Sequence, residues 1–305
     1  MALNTGSVAA LTLEGIRKLV GDEFGRYELE FSQFMNINQA DKGTMTDREV
    51  IGIGSLVAKA QNQAITLTDP RVGRPRDYIA QAFAGGIRVS WEAEMDELYG
   101  FIRKHMGTLG QAANETLNIE TAGIIDRFDS GDAAGTLVTG FDTLAMLHAT
   151  HTNLNGADNL AYKNNRLQLD ISESALQTVI TQFQKVQDAS DNRVNVGPAT
   201  NLFHTPDDWL LIREIVESTG KPFTPDNTAN VLRGQITPHM LHYVTDTDRW
   251  FVQAARHDMN FFMRAAPVVD SYDDKATKST VSTIALRFTF GFGDWRGVIG
   301  SPGTP

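Results

Sequence analysis

Apolar residues between Ser90 and Phe128 recur at steps of three or four: Trp91, Met95, Leu98, Ile102, Met106, Leu109, Ala113 and Leu117. That spacing marks one face of an α-helix. Glu92, Glu94, Asp96 and Glu97 crowd its first turns, where negative charge suits the positive end of the helix dipole. Ser90 is placed to cap it. No proline interrupts the run, although Gly100, Gly107 and Gly110 weaken it. The pattern predicts a helix much longer than the usual ~12 residues, a strut for the rest of the chain. The plainer alternative is a buried helix broken near Gly107.

Before the strut, Leu13, Ile16, Val20, Phe24, Tyr27, Phe31 and Phe34 keep helical spacing, but Gly15, Gly21 and Gly25 interrupt it. This predicts an arm with one short helix, too weak to stand alone, lying on its own domain or on another subunit. Residues 36–43 read as a turn. Glu49 to Val57 reads as a strand and Tyr78 to Val89 as a second one, a hairpin-like excursion with no core-forming face of its own. Between them two prolines and a glycine exclude a regular element, which puts Arg71, Arg74 and Arg76 at a loop tip. A solvated loop is the simple reading of that cluster. Phosphate binding fits less well, since no helix or glycine nest follows closely.

Beyond the strut, Asp129 to Gly140 reads as a loop and Phe141 to His151 as an apolar stretch. A helix follows, with Leu176, Val179, Ile180, Phe183 and Val186 on one face and Ser172 or Ser174 at its cap. Arg193 to Phe203 is strand-like. Thr205-Pro206-Asp207-Asp208 opens another helix, whose buried face is Trp209, Leu210, Ile212, Ile215 and Val216. Helices alternating with short strands predict an α/β or α+β domain over 136–248. The tail is β-rich: Trp250 to Val252, Asn260 to Met263, then Thr280 to Asp294. In that last strand Ile284, Leu286, Phe288, Phe290 and Phe292 face one way.

Composition narrows the classes. The 305 residues, 41% hydrophobic and 21% charged, suit one large or two medium globular domains. With no cysteine, disulfides and thiolate metal sites are excluded. The start lacks the pattern of a signal peptide, and no apolar run has the length of a membrane span. A net charge of −10 argues against a surface built to grip phosphates, though not against enclosing nucleic acid. His148 and His151, and His239 and His242, are spaced to share a metal on a helix, but no zincin glutamate and no third ligand accompanies them. No Gly-x-Ser-x-Gly is present. Gly291-Phe-Gly293 runs into Asp-Trp-Arg rather than a dinucleotide fingerprint. No catalytic residue and no cofactor is expected.

The order Leu147-His-Ala-Thr-His-Thr-Asn153, Lys185 on a helix, Asn195-Val-Gly-Pro198, Phe203-His-Thr-Pro206, Asp248-Arg-Trp-Phe251, Leu286-Arg-Phe288 and Phe292-Gly-Asp-Trp-Arg-Gly297 resembles the major head subunits of Mu-like tailed phages. It covers Asp142 to Gly303 by motif and the earlier part by layout. The resemblance implies the α+β Hong Kong 97 type capsid fold, with an N-terminal arm (1–36), an extended loop (37–89), a peripheral domain with a spine helix (90–135 and 249–305) and an axial domain (136–248). It implies a structural protein whose copies form hexamers and pentamers of an icosahedral shell around double-stranded DNA. Portal and scaffolding proteins would be its partners in the host cytoplasm, with no membrane. In that family the extended loop lies across the adjacent subunit near its spine. A contact between Arg71, Arg74 and Arg76 and the acids Glu92, Glu94, Asp96 and Glu97 of a neighbour is therefore expected. The rival readings are a nanocompartment shell of the same fold and a metal-dependent enzyme using the histidine pairs.

Overall fold

The computed structural model describes residues 13–51, 56–67, 69, 72–96, 99–129, 139–151, 164–188, 193–221 and 229–303. Its strands are β1 (Asn36–Gln39), β2 (Thr44–Val50), β3 (Val72–Ile79), β4 (Gln81–Ser90), β5 (Ala199–His204), β6 (Thr237–Met240), β7 (Trp250–Ala254), β8 (Met259–Asp274), β9 (Ser279–Phe292) and β10 (Val298–Ser301). Its helices are α1 (Leu13–Phe24), α2 (Trp91–Met95), α3 (Tyr99–Ile125), α4 (Glu173–Phe183) and α5 (Trp209–Glu217).

The strands form three sheets. One has the order β1-β8-β9-β4, the second β10-β7-β5-β6, and β2 and β3 pair alone. In β9 the five alternating residues Ile284 to Phe292 are all buried, as their pattern predicts. Phe288 stacks between Phe83 of β4 and Phe261 of β8, with ring centroids 4.7 and 5.6 Å away. The spine α3 lies on this face, contributing Met106, Leu109, Ala113, Leu117, Ile124 and Ile125 to the same core.

The strut differs from its predicted form at its start. It is interrupted after Met95, and α3 begins at Tyr99. Ser90 does cap α2, its Oγ accepting the N–H of Ala93 at 3.3 Å, but Trp91 and Met95 are exposed. No break occurs at Gly107. There the glycines make room for α1: a Cβ on Gly107 would press on Glu23 Cγ at 3.2 Å, and one on Gly110 would run into the carbonyl of Val20 and the N–H of Phe24. The arm thus lies on its own spine. Asn114 and Asn118, both buried, hold its backbone: Asn114 Nδ2 donates to the carbonyls of Phe24 and Tyr27 at 3.0 Å each, and Asn118 Oδ1 accepts the N–H of Glu30 at 3.0 Å.

The excursion is rearranged as well. Tyr78 to Val89 is not one strand of a hairpin. It splits at Ala80 into the end of β3, which pairs with β2, and β4, which joins β9 over ten residues. The segment thought irregular because of its prolines is β3 itself. Pro75 is tolerated because a two-stranded ribbon leaves each strand one free edge, and it faces Arg48 where the register shifts. A Cβ on Gly73 would strike the carbonyl of Glu49, so only glycine allows the two chains to close there. β2 begins at Thr44, five residues before the predicted strand, and ends at Val50; residues 52–55 of that prediction lie outside the described residues.

The second core gathers α4, α5 and the second sheet. Ser172 caps α4 as predicted, accepting the N–H of Ala175 at 3.2 Å. Thr205 does not cap. A 3-10 turn at Pro206–Asp208 intervenes before α5, and the Thr205 hydroxyl donates to the carbonyl of Thr247 instead. Ile212, Ile215 and Val216 are buried, but Trp209 and Leu210 are exposed. β7 and β10, from the tail, pair in this second sheet. Arg249 ties the tail to the end of the spine: it is buried and donates at 2.9 Å to both Asp129 and Asp246.

Candidate inter-subunit surfaces

Between β2 and β3 the described residues 56–67 and 69 adopt no helix or strand and are exposed throughout. Leu56 and Leu67 are each 88% exposed, and Val57, Ile65, Val50 and Val72 are exposed beside them. Large apolar side chains left in water in one stretch mark an interaction surface. The sequence pattern located the excursion but not this property; the signal was the low charge of residues 56–67, where Lys59 alone is charged.

Two of the three arginines predicted at the tip, Arg74 and Arg76, are elsewhere. Arg71 lies outside the described residues. Arg74 and Arg76 are on β3, at the root of the excursion. Arg74 pairs with Glu49 across the ribbon at 3.7 Å. Burial pushes the Glu49 carboxyl up, with Arg74 pulling the other way. Arg76 is only 6% exposed. Its Nη1 donates to Thr139 Oγ1 at 3.0 Å, and its guanidinium lies over the rings of Tyr78 and Phe292. Burial lowers its proton affinity. Nothing in the local sequence separates a buried arginine from a solvated one, because the walls of its pocket come from residues 139 and 292.

The acidic residues are only partly brought together. Glu92 and Asp96 are exposed on and just after α2. Glu94 is on α2, but its side chain is not among those described, and Glu97 lies outside the described residues. α2 has five residues, so no dipole argument attaches to it.

His148 and His151 meet edge to face with ring centroids 5.8 Å apart, and each of the four paired histidines has partners of its own. His151 is buried between Asp142 and Asn165, at 2.6 and 3.0 Å. His148 accepts the N–H of Thr150 at 3.1 Å. His239 stacks on Phe203, and burial lowers its proton affinity. His242 lies 2.7 Å from Glu30 of the arm. Among the described residues no three histidine or acidic side chains converge on a point that would hold a metal ion. Asp258, which accepts the N–H of Asp294 at 2.9 Å, is pushed up by burial to about 6. These groups hold segments together.

The model of the family described as phage capsid protein matches residues 74–301. No curated protein matches the chain by sequence. Solved structures share its fold. The capsid of cyanophage P-SCSP1u is 10% identical, with a TM-score of 0.60 over 92% of this chain and 89% of that one. The capsid of a native GTA particle is 11% identical, with a TM-score of 0.59 over 92% and 91%. A virus-like particle from Pyrococcus furiosus is 8% identical, with a TM-score of 0.53 over 94% and 98%.

Proposed function

This chain belongs to the phage capsid protein family, and from that membership we propose how one subunit grips the next. It is a structural protein with the Hong Kong 97 type fold, a major capsid protein of the virion that assembles with copies of itself. In our reading the excursion between β2 and β3 docks on a neighbouring subunit. The observation that carries this is the row Leu56, Val57, Ile65 and Leu67, apolar and exposed at the end of a two-stranded ribbon. An isolated ribbon gains little stability by itself, and burying these side chains on a neighbour removes apolar surface from water at about 25 cal/mol per Å².

Replacing residues 56–67 by a short glycine-serine turn tests the reading. Light scattering on the parent chain should report large particles. The shortened chain should keep its far-ultraviolet circular dichroism and stay as subunits. Normal particles from the shortened chain would overturn it.

The division into arm, excursion, spine-bearing domain and second domain is proposed at the level of the two cores, with β7 and β10 crossing between them. The finer setting is also proposed: a Mu-like head, hexamers and pentamers assembled in the host cytoplasm with separate scaffolding and portal proteins, around double-stranded DNA. The net charge of −10 suits enclosure of DNA without a sequence-specific grip. Charge pairing between subunits is proposed for Arg71 with Glu92, Glu94, Asp96 and Glu97. Arg74 and Arg76 are left out of this proposal because contacts within their own chain engage them. Exposed pairs contribute only ~0–1 kcal/mol each, so their role is register. At low salt, where screening is least, Arg71→Glu should slow assembly; an unchanged rate would leave Arg71 as solvated.

A further inference from the structure

The strands at the margins of the three sheets guard their free edges unequally. β1, β6 and β10 end their sheets with four residues each. β2 carries Asp47, Arg48 and Glu49, and β3 carries Pro75. Short length, charge and proline are the usual protections of an edge against pairing with another chain. β4 lacks all but a single charge. It runs ten residues, pairs with β9 without a register shift, and carries only Arg88. Among the described residues no group outside β9 hydrogen-bonds to the backbone of residues 82–89.

The inward stripe of β4 is also incomplete. Phe83, Ile87 and Val89 pack against the first core and are partly buried. Gly85 shares their face, opposite Ile284 of β9. A Cβ built there would meet no atom within 4 Å. Gly85 is not among the glycines with left-handed backbone, so its conformation does not demand glycine. The stripe has an opening between Phe83 and Ile87.

The return arm of the excursion carries the matching pattern. At the tip the N–H of Gln63 donates to the carbonyl of Ala60 at 3.2 Å, and Gln63 Oε1 accepts the N–H of Ala60 at 3.1 Å. Beyond that turn Ile65 and Leu67 are exposed and, two apart, share one face of an extended chain; Ala64 and Thr66 share the other. None of the four is charged, and no described hydrogen bond engages their backbone.

We infer that residues 64–67 of one copy add as a strand to the free edge of β4 in a neighbouring copy, with Ile65 or Leu67 filling the opening at Gly85. This rests on the reading that the excursion docks on a neighbour, and it names the place. In strand addition the main-chain bonds give affinity and alternate side chains in pockets give selectivity. The apolar face of the arm continues the stripe of Phe83 and Ile87. Thr66 then falls on the outer face with Ala82, Ala84 and Arg88. The occupant is a second copy because on its own chain the arm is exposed. It lies past the far end of β3 from Ala80, where β4 begins, and the eight residues of β3 span ~26 Å.

The chain has no cysteine, so single pairs can be introduced cleanly. Residues opposed on neighbouring strands have Cβ atoms ~5 Å apart, close enough for a disulfide. Thr66→Cys is combined in turn with Ala82→Cys, Ala84→Cys and Arg88→Cys in full-length particles and mildly oxidised. At least one pair should give covalent multimers on a non-reducing gel, beyond what Thr66→Cys gives alone. Thr66→Cys with Ile119→Cys, exposed on the spine, is the comparison. Particles that yield multimers from no β4 pair overturn the proposal, and multimers from the spine pair instead would leave the docking reading standing. That reading fails separately, if the chain shortened at residues 56–67 forms normal particles. Hydrogen exchange on the unsubstituted chain decides the matter if the cysteine variants do not assemble. Residues 82–89 should exchange at least tenfold more slowly in particles than in unassembled subunits; equal rates would overturn the proposal. Gly85→Val should keep the subunit's melting temperature and slow assembly at least tenfold, and assembly at the parent rate would count equally against it.

Discussion

Gly110 lies where α1 crosses the spine, and an alanine there would gain about 1 kcal/mol of helix propensity. It would also drive a methyl group into the backbone of Val20 and Phe24, which cannot yield without lifting the arm. Overpacking of this kind costs ~1–3 kcal/mol, and with backbone as the obstacle the clash should win. Gly110→Ala is expected to lower the midpoint of urea unfolding; a raised midpoint would mean that α1 is loosely seated. Phe288, stacked between Phe83 and Phe261, should cost ~3–5 kcal/mol on truncation to alanine, read in the same experiment. Asp258 brings a pH dependence. Its folded carboxyl, pushed up to about 6 from 3.8 by burial, binds its proton more tightly than in the unfolded chain. Its contribution is therefore present in full below 3.8 and is lost as pH rises through about 6. The melting temperature of the parent relative to Asp258→Asn should rise as pH falls from neutral towards 5; a difference independent of pH would remove Asp258 from the explanation.

At the scale of elements, what was legible in the sequence is what depends on neighbours along the chain. The alternation of Ile284 to Phe292 gave a strand with the right buried face, the stripe Met106 to Leu117 gave the spine, and Ser172 gave the cap of α4. What was not legible depends on partners distant in sequence. Gly107 and Gly110 look like weak points of a helix until α1 is laid across them. Arg-Pro-Arg looks like a loop until β2 pairs with it. Asp142, His151 and Asn165 are nine and fourteen residues apart with nothing periodic to join them. The arm belongs with these. Asn114 and Asn118 carry no signal in the apolar spacing of the strut, yet they hold the carbonyls and an N–H of residues 24–30. Asn114→Ala should leave two carbonyls without their donor, at ~1–3 kcal/mol for buried groups, and hydrogen exchange should quicken first in that segment of the arm. Uniform quickening across the chain would instead point to a global loss.

The described residues combine two well-packed cores with an excursion whose apolar side chains are exposed. The second sheet stands between the cores, turning Phe203, Phe251 and Val298 to the first and Leu202, Val252 and Ile299 to the second, and the polar contacts of Arg249 with Asp129 and of Asn165 with Val298 add to that seam. This is the organisation of a unit finished by its neighbours. Electron microscopy of the purified full-length chain under negative stain, at concentrations where assembly is favoured, tests the shell-forming role most directly. Closed shells of uniform diameter, or rings of five and six subunits, are the expected result. A monodisperse monomer under every condition of salt and concentration, with no shell when scaffolding protein is supplied, would contradict it.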